Sequence, residues 1–284
     1  PELVHRLHDG ASVDVARAIM TTDSFPKVRE ARVGAGRIVA IAKGAGMVEP
    51  NMGTMLVFIM TDVAVSREEL RRALAGAVEA SFNTISIDGD QSTSDTVLAL
   101  SSNRKAAVDY ETFSAALQQV CTELAGDIVR NGEGTGHVMR VKVDGAPTVA
   151  DARAVGKAVV NSPLVKTAIF GNDPNVGRIV SAVGDFAGNA GLALEPDRMR
   201  VTVGREVVFK DGAFVLDRDK EERLSRYLLT AAMDPSHHGY PEHEREVEIT
   251  ISLGRADDAQ RHWAEVLGSD LSHEYIRENA DYRT

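Results

Sequence analysis

Thr54, Lys43 and Glu133 are the residues of this 284-residue sequence whose type and setting could do chemistry. Thr54 closes a glycine-rich, proline-containing loop, Lys43-Gly44-Ala45-Gly46-Met47-Val48-Glu49-Pro50-Asn51-Met52-Gly53, and opens the apolar run Met55 to Met60. Gly53 leaves its carbonyl open to attack and takes backbone angles that other residues resist. A cut of the Gly53–Thr54 bond would leave a hydroxyl and a free α-amine on one residue, a nucleophile that carries its own base. The competing reading is an ordinary threonine at a strand edge. Lys43 is either a surface lysine or a cation aimed at an anionic substrate group. Glu133 lies among glycines in Asn131-Gly132-Glu133-Gly134-Thr135-Gly136. Glycines permit close approach of a ligand, and a carboxylate there can receive an ammonium. A phosphate cradle needs amides at the start of a helix, whereas this loop ends one.

Other clusters carry less. Asp88-Gly89-Asp90-Gln91-Ser92 begins like a calcium loop, but Thr93 replaces the required glycine and Ala99 the closing glutamate, so a hydrogen-bonded turn is expected. His237, His238, Glu242 and His243 stand in a loop with Pro235, Gly239 and Pro241 and are expected to be solvated. Cys121 is the single cysteine, which excludes an internal disulfide and fits a buried, inert thiol in a reducing compartment. With 42 acidic and 32 basic residues the net charge is −10, which argues against general nucleic-acid or anionic-membrane binding. No stretch approaches the roughly 20 apolar residues of a membrane span, and no signal peptide is seen. The chain starts at Pro1 inside a helical pattern, as the later part of a longer protein would.

Positioning these residues falls to a mixed set of elements. A helix is expected over Ser12 to Met20, then strands Ala31 to Val33 and Arg37 to Ala42 paired around Gly34-Ala35-Gly36. The strand after Thr54 is followed by a helix starting at Ser66, where Ser66 and Glu69 form a capping box. Thr84 to Ile87 and Thr96 to Leu100 are strand-like. Tyr110 to Arg130 is the clearest helix, with Phe113, Leu117, Val120, Leu124 and Ile128 on one face. Further on come a strand (His137 to Val143), a helix (Ala150 to Val160), a strand (Leu164 to Phe170) and a helix (Val176 to Val183). Strands at Met199 to Val203 and Glu206 to Phe209 precede a helix from Asp217 to Met233. The strand Glu246 to Leu253 is expected to pair with His262 to Leu267, and Ser272 to Thr284 is polar and weakly patterned. The class is α/β, with mixed sheets layered with helices.

The motifs together resemble a known family. Ala18-Ile19-Met20-Thr21-Thr22-Asp23 is followed by Lys43-Gly44-Ala45-Gly46-Met47, Pro50-Asn51-Met52-Gly53-Thr54-Met55-Leu56 and Thr61-Asp62. Downstream stand Ile87-Asp88-Gly89-Asp90, Ser92-Thr93-Ser94-Asp95-Thr96, Asn161-Ser162-Pro163-Leu164-Val165-Lys166-Thr167-Ala168, Asp173-Pro174-Asn175 before Gly177-Arg178-Ile179, and the closing Asn279-Ala280-Asp281-Tyr282-Arg283-Thr284. In this order, over nearly the whole chain, they resemble the ornithine acetyltransferase family, the glutamate N-acetyltransferases of arginine biosynthesis.

The resemblance implies an N-terminal-nucleophile-like, self-cleaving acyltransferase. Cleavage at Gly53–Thr54 would divide it into the end of an α chain (1–53) and a β chain (54–284), packed as one catalytic unit. Thr54 would take acetyl from N-acetylornithine and pass it to glutamate, and bifunctional members also use acetyl-CoA. Thr22 (with Thr21), Lys43, Thr54, Glu133, Asn279 and Thr284 match substrate-contacting positions. Lys43 is expected to meet the substrate α-carboxylate and Glu133 the ornithine ammonium. No cofactor or metal is implied, the location is cytoplasmic, and two αβ units form a heterotetramer. This sequence departs from the family at Gly53, where alanine is usual, and in the Asn131 to His137 loop, where aspartate comes first and lysine later. The family's Thr-Gly oxyanion pair lies upstream and has no match here. Rival readings are an N-terminal-nucleophile amidohydrolase or aminopeptidase, and an uncleaved non-catalytic paralogue.

Overall fold

The computed structural model describes residues 12–49, 55–234, 245–254 and 262–281. The chain divides into two compact units, residues 1–83 with 90–132, and residues 84–89 with 133–284. In each, a sheet packs against helices, so the α/β class expected from the sequence is what forms. The expected chain boundary at Gly53–Thr54 falls within the residue range of the first unit.

In the first unit, α1 (Ser12–Ala18) leads to the hairpin β1 (Lys27–Val33) and β2 (Gly36–Lys43), then β3 (Leu56–Val63) and α2 (Arg67–Ala80). The chain gives β4 (Ile85–Ser86) to the other unit and returns with β5 (Thr96–Lys105) and α3 (Tyr110–Arg130). The sheet order is β1-β2-β3-β5, antiparallel except for the β3–β5 pair. Lys43 pairs with Leu56, and Leu56 with Thr96, so the end of β2 and the starts of β3 and β5 form one row across the sheet. At α2 the capping box is complete: Ser66 Oγ accepts from the Glu69 amide, and the Glu69 carboxylate accepts from the Ser66 amide. Asp109 caps α3, whose buried stripe of Phe113, Leu117, Val120, Cys121, Leu124 and Ile128 packs on β1 and β2.

The second unit adds β6 (Val138–Ala146), α4 (Val149–Asn161), α5 (Pro163–Phe170), α6 (Val176–Ala190), β7 (Arg200–Val203), β8 (Glu206–Lys210), β9 (Ala213–Phe214), α7 (Arg218–Ala231), β10 (Val247–Ser252), β11 (His262–Ser269) and α8 (His273–Asp281). Its sheet runs β4-β11-β6-β10-β7-β8-β9. The core gathers Val141 and Val143 of β6, Ile249 and Ile251 of β10, Val155 and Val159 of α4, and Leu224 and Leu228 of α7.

Three expectations are corrected here. Leu164 to Phe170 is helical: Ser162 caps it through the Val165 amide and Pro163 fills its first turn, which outweighs the β-branched Val165, Thr167 and Ile169. Strand β11 does not pair with β10; β6 lies between them, antiparallel to β11 and parallel to β10. The segment 273–281, read as weakly patterned, is α8, with the buried Ser272 accepting from the Tyr275 amide at its start.

Candidate functional site

Gly53, Thr54 and Thr284 lie outside the described residues, as do His237, His238, Glu242 and His243. The remaining site residues fall into one cluster in each unit.

In the first unit the cluster is built around the end of β2. Lys43 is buried rather than on the surface, at 8% exposure. Its Nζ donates to Thr21 Oγ1 at 3.3 Å, and no described carboxylate forms an ion pair with it. Thr21 and Thr22 are exposed in the turn after α1. That turn is held by Asp23, whose carboxylate accepts from the Thr21 amide at 3.1 Å and the Gly44 amide at 2.9 Å. Asp23 also pairs with the fully buried Lys27, which in turn donates to Asn131 Oδ1. Burial opposes ionisation of Asp23, but Lys27 and the two amides outweigh it and hold the carboxyl below its ordinary value. Asp23 thus ties the Thr21 turn to Gly44, the residue that follows Lys43.

Two strands away, the Asp95 carboxylate accepts from the amide of Met55, the residue that follows Thr54, and the Thr96 amide donates to the Met55 carbonyl at 3.0 Å. Burial pushes the Asp95 carboxyl above its ordinary range, while the Met55 amide and nearby Lys43 pull the other way. Sequence reasoning quoted Asp95 within a motif but gave it no role. The available signal was its place immediately before β5, the strand that pairs with β3.

In the second unit Glu133 and Asn279 meet. Asn279 Nδ2 donates to Glu133 Oε2 at 2.8 Å and to the Tyr275 carbonyl at 3.0 Å. Tyr275 Oη donates to Asp88 Oδ2 at 3.3 Å, which tethers α8 to the segment after β4. Burial, then Glu133, raises the Glu278 carboxyl above its ordinary value, with Glu274 adding and Arg277 opposing. The local field is therefore negative and favours a cationic ligand group. Gly134 has φ +63°, and a Cβ there would lie 2.4 Å from the Tyr275 backbone nitrogen, so only glycine lets this loop reach α8.

His137 anchors the far end of the loop. Its Nδ1 is 2.8 Å from Asp270 Oδ2 and its Nε2 is 3.2 Å from Asn172 Oδ1, while Asp270 Oδ1 accepts from the Gly136 amide. Cys121 is buried and its thiol is pushed up to about 12 by burial, so it takes no part in chemistry. A groove of about 1080 Å³ in the second unit is lined by Asp173, Asn175, Phe214, Arg218, Glu222 and Arg226 among others, none of them an expected substrate contact.

These features define a mixed α/β protein with a buried cation at the mouth of one sheet and a glycine-borne carboxylate in the second unit. The chain belongs to the ArgJ family, whose sequence model matches residues 1–284. It is 42% identical over 271 residues to the arginine biosynthesis bifunctional protein ArgJ of Rhodococcoides fascians, covering 95% of this chain and 62% of that protein. It is 41% identical over 280 residues to the glutamate N-acetyltransferase of Methanopyrus kandleri, covering 95% of this chain and 66% of that one. The crystal structure of ArgJ from Bacillus halodurans matches with a TM-score of 0.67 at 31% identity, over 79% of this chain and 98% of that chain. The chain thus spans about two thirds of the length of the curated relatives it matches.

Proposed function

We propose that the protein is a glutamate N-acetyltransferase that moves acetyl from N-acetylornithine to glutamate through an ester on Thr54. The observation that carries this is the buried ammonium of Lys43, which forms no ion pair with a carboxylate among the described residues, in register with Leu56, two residues beyond Thr54. Burying a lone cation is costly unless a ligand anion completes it, and a substrate α-carboxylate does so with charge-assisted hydrogen bonds. The family resemblance gives the side-chain ammonium of ornithine to Glu133, whose carboxylate Asn279 holds.

Maturation comes first. Thr54 Oγ attacks the Gly53 carbonyl carbon, the peptide C–N bond breaks to free the α-amine, and water hydrolyses the resulting ester. In the first half-reaction the hydroxyl proton passes to that amine as Oγ bonds the acetyl carbon. The proton then goes to the ornithine nitrogen as the amide bond breaks. The amine of glutamate attacks the ester in the second half, restoring the hydroxyl. No cofactor or metal is needed, and acetyl-CoA is a second acetyl donor for the same ester. The α and β chains stay together, two αβ units forming a heterotetramer in the cytoplasm. Among the described residues no helix is long and apolar enough to cross a membrane.

The test is the full-length protein incubated with N-acetylornithine, with and without glutamate. Glutamate-dependent N-acetylglutamate, together with a mass break at Gly53–Thr54 and an acetyl adduct on the β chain, is the expected result. Acetate release that ignores glutamate would instead identify an amidohydrolase, and an unbroken chain a non-catalytic paralogue. Thr54→Ala should abolish both cleavage and labelling.

A further inference from the structure

Two opposite charges in the first unit lie within electrostatic reach of one another without pairing. Lys43, at the end of β2, is 8% exposed, and among the described residues its ammonium has one hydrogen bond, to Thr21 Oγ1 at 3.3 Å. An ammonium carries three donors, so this one has capacity to spare. Asp95 stands just before β5. Its Oδ1 accepts from the Met55 amide, and its Oδ2 is buried with no hydrogen-bond partner among the described residues. Burial disfavours the ionised form of Asp95, and the Met55 amide and the charge of Lys43 offset part of that. Lys43 pairs with Leu56 and Leu56 with Thr96, so two strand spacings, roughly 10 Å, separate the backbones that carry the two charges. The lysine stem covers part of that span. A buried cation and a buried acceptor, each left incomplete, are costly. One small ligand with an anion and a donor on neighbouring atoms completes both together.

We propose that Lys43 and Asp95 together form a head-group site for α-amino acids, with Lys43 taking the α-carboxylate and Asp95 Oδ2 accepting a hydrogen bond from the α-nitrogen. The inference deepens the proposed function and rests on its assignment of the substrate α-carboxylate to Lys43. What it adds is Asp95 as a substrate-binding residue. In an α-amino acid the nitrogen and the carboxylate are bonded to one carbon, so donor and anion lie roughly 3 Å apart and together span the space between the two side chains. The same site serves both substrates, because the ammonium of glutamate and the amide N–H of N-acetylornithine are each donors on the α-nitrogen. An acid that lacks this nitrogen leaves Oδ2 unmet and is discriminated against. The Met55 amide on Oδ1 fixes the carboxylate, so Oδ2 is presented in one orientation.

The test is isothermal titration calorimetry of the full-length protein with glutamate and with glutarate, which has the same two carboxylates and no nitrogen. No acetyl donor is present, so binding is read without turnover. Wild type should bind glutamate about tenfold or more tighter than glutarate, the worth of a hydrogen bond to a charged group. Asparagine keeps an oxygen for the Met55 amide but removes the charge. Asp95→Asn should therefore melt near wild type, weaken glutamate by about tenfold or more, and bind the two acids about equally. Lys43→Met should weaken both acids. Wild type that binds glutamate and glutarate equally overturns this inference alone, as does Asp95→Asn that keeps the wild-type preference. Should Asp95→Asn not fold, Asp95→Ser, also uncharged and able to accept from the Met55 amide through its hydroxyl, is read in the same way. Wild type that binds neither acid overturns the α-carboxylate reading of Lys43 and this inference with it.

Discussion

Asn279 donates to Glu133 at 2.8 Å from a helix 146 residues further along the chain, and in doing so gives a glycine-loop carboxylate a fixed orientation. The same amide nitrogen also donates to the Tyr275 carbonyl of its own helix, so the pair is tied to the backbone of α8. One acceptor oxygen of Glu133 is thereby used, and the carboxylate is presented rather than left to rotate in solvent.

If that carboxylate receives the ornithine ammonium, Glu133→Gln should raise KM for N-acetylornithine by roughly 10- to 100-fold, the worth of a hydrogen bond to a charged group. KM for glutamate, which carries no side-chain cation, should not rise. Asn279→Ala should give a smaller change in the same direction. Initial-rate kinetics with each substrate varied in turn check this, and equal effects on both substrates would refute the charge division.

Gly134→Ala combines a left-handed backbone with a Cβ placed 2.4 Å from the Tyr275 nitrogen. The expected cost is about 1–3 kcal/mol, seen as a melting temperature lower by about 2–4 °C for each kcal/mol. Backbone is what the new methyl would meet, so the N-terminal turn of α8 must move. Hydrogen exchange at Tyr275 should speed up while α3 amides keep their protection.

Lys27→Met should be among the most damaging changes. Removing one partner of a buried ion pair typically costs about 3–5 kcal/mol, because the other charge stays behind. Asp23 would then lose the cation that keeps its carboxyl below the ordinary value. The pH dependence follows from that lowered value. The stability that Asp23 contributes is fully present above its unfolded value of 3.8 and is lost as pH falls through the lower folded value. Urea midpoints measured from neutral pH downward should show this loss in wild type and a much flatter profile in Lys27→Met.

Lys166 is 4% exposed on α5, and its Nζ donates to the carbonyls of Ile87 and Ser269. Lys166→Met keeps the stem but orphans both acceptors, each at about 1–3 kcal/mol. Faster amide exchange at the β4 and β11 ends, with a lower urea midpoint, is the expected outcome. Unchanged exchange there would mean that the lysine does not hold these strand ends.

The Lys166 position also shows where reading the sequence stopped. A run of Leu164, Val165, Thr167 and Ile169 has strand composition, and only the Ser162-Pro163 start tells otherwise. Had the cap been weighed above β-propensity, α5 would have been legible. The Ser66–Glu69 capping box and the apolar stripe of α3 were legible because each signal lies within a few residues and decides a local conformation by itself.

What the sequence alone determined was therefore local or motif-borne: the helices with clear caps, the β1–β2 hairpin, Lys43 and Glu133 as candidate charges, and the motif order shared with the ArgJ family. The tertiary structure decided which strand lies between β10 and β11, that 273–281 forms a helix, and that Lys43 is buried. It also decided that Asp95 holds the amide of Met55 and that Lys27 lies between Asp23 and Asn131. The physical reason is the same in each case. Strand pairing, burial and charge pairing are settled by competition among groups distant in the chain, and no window of sequence contains both sides of that competition.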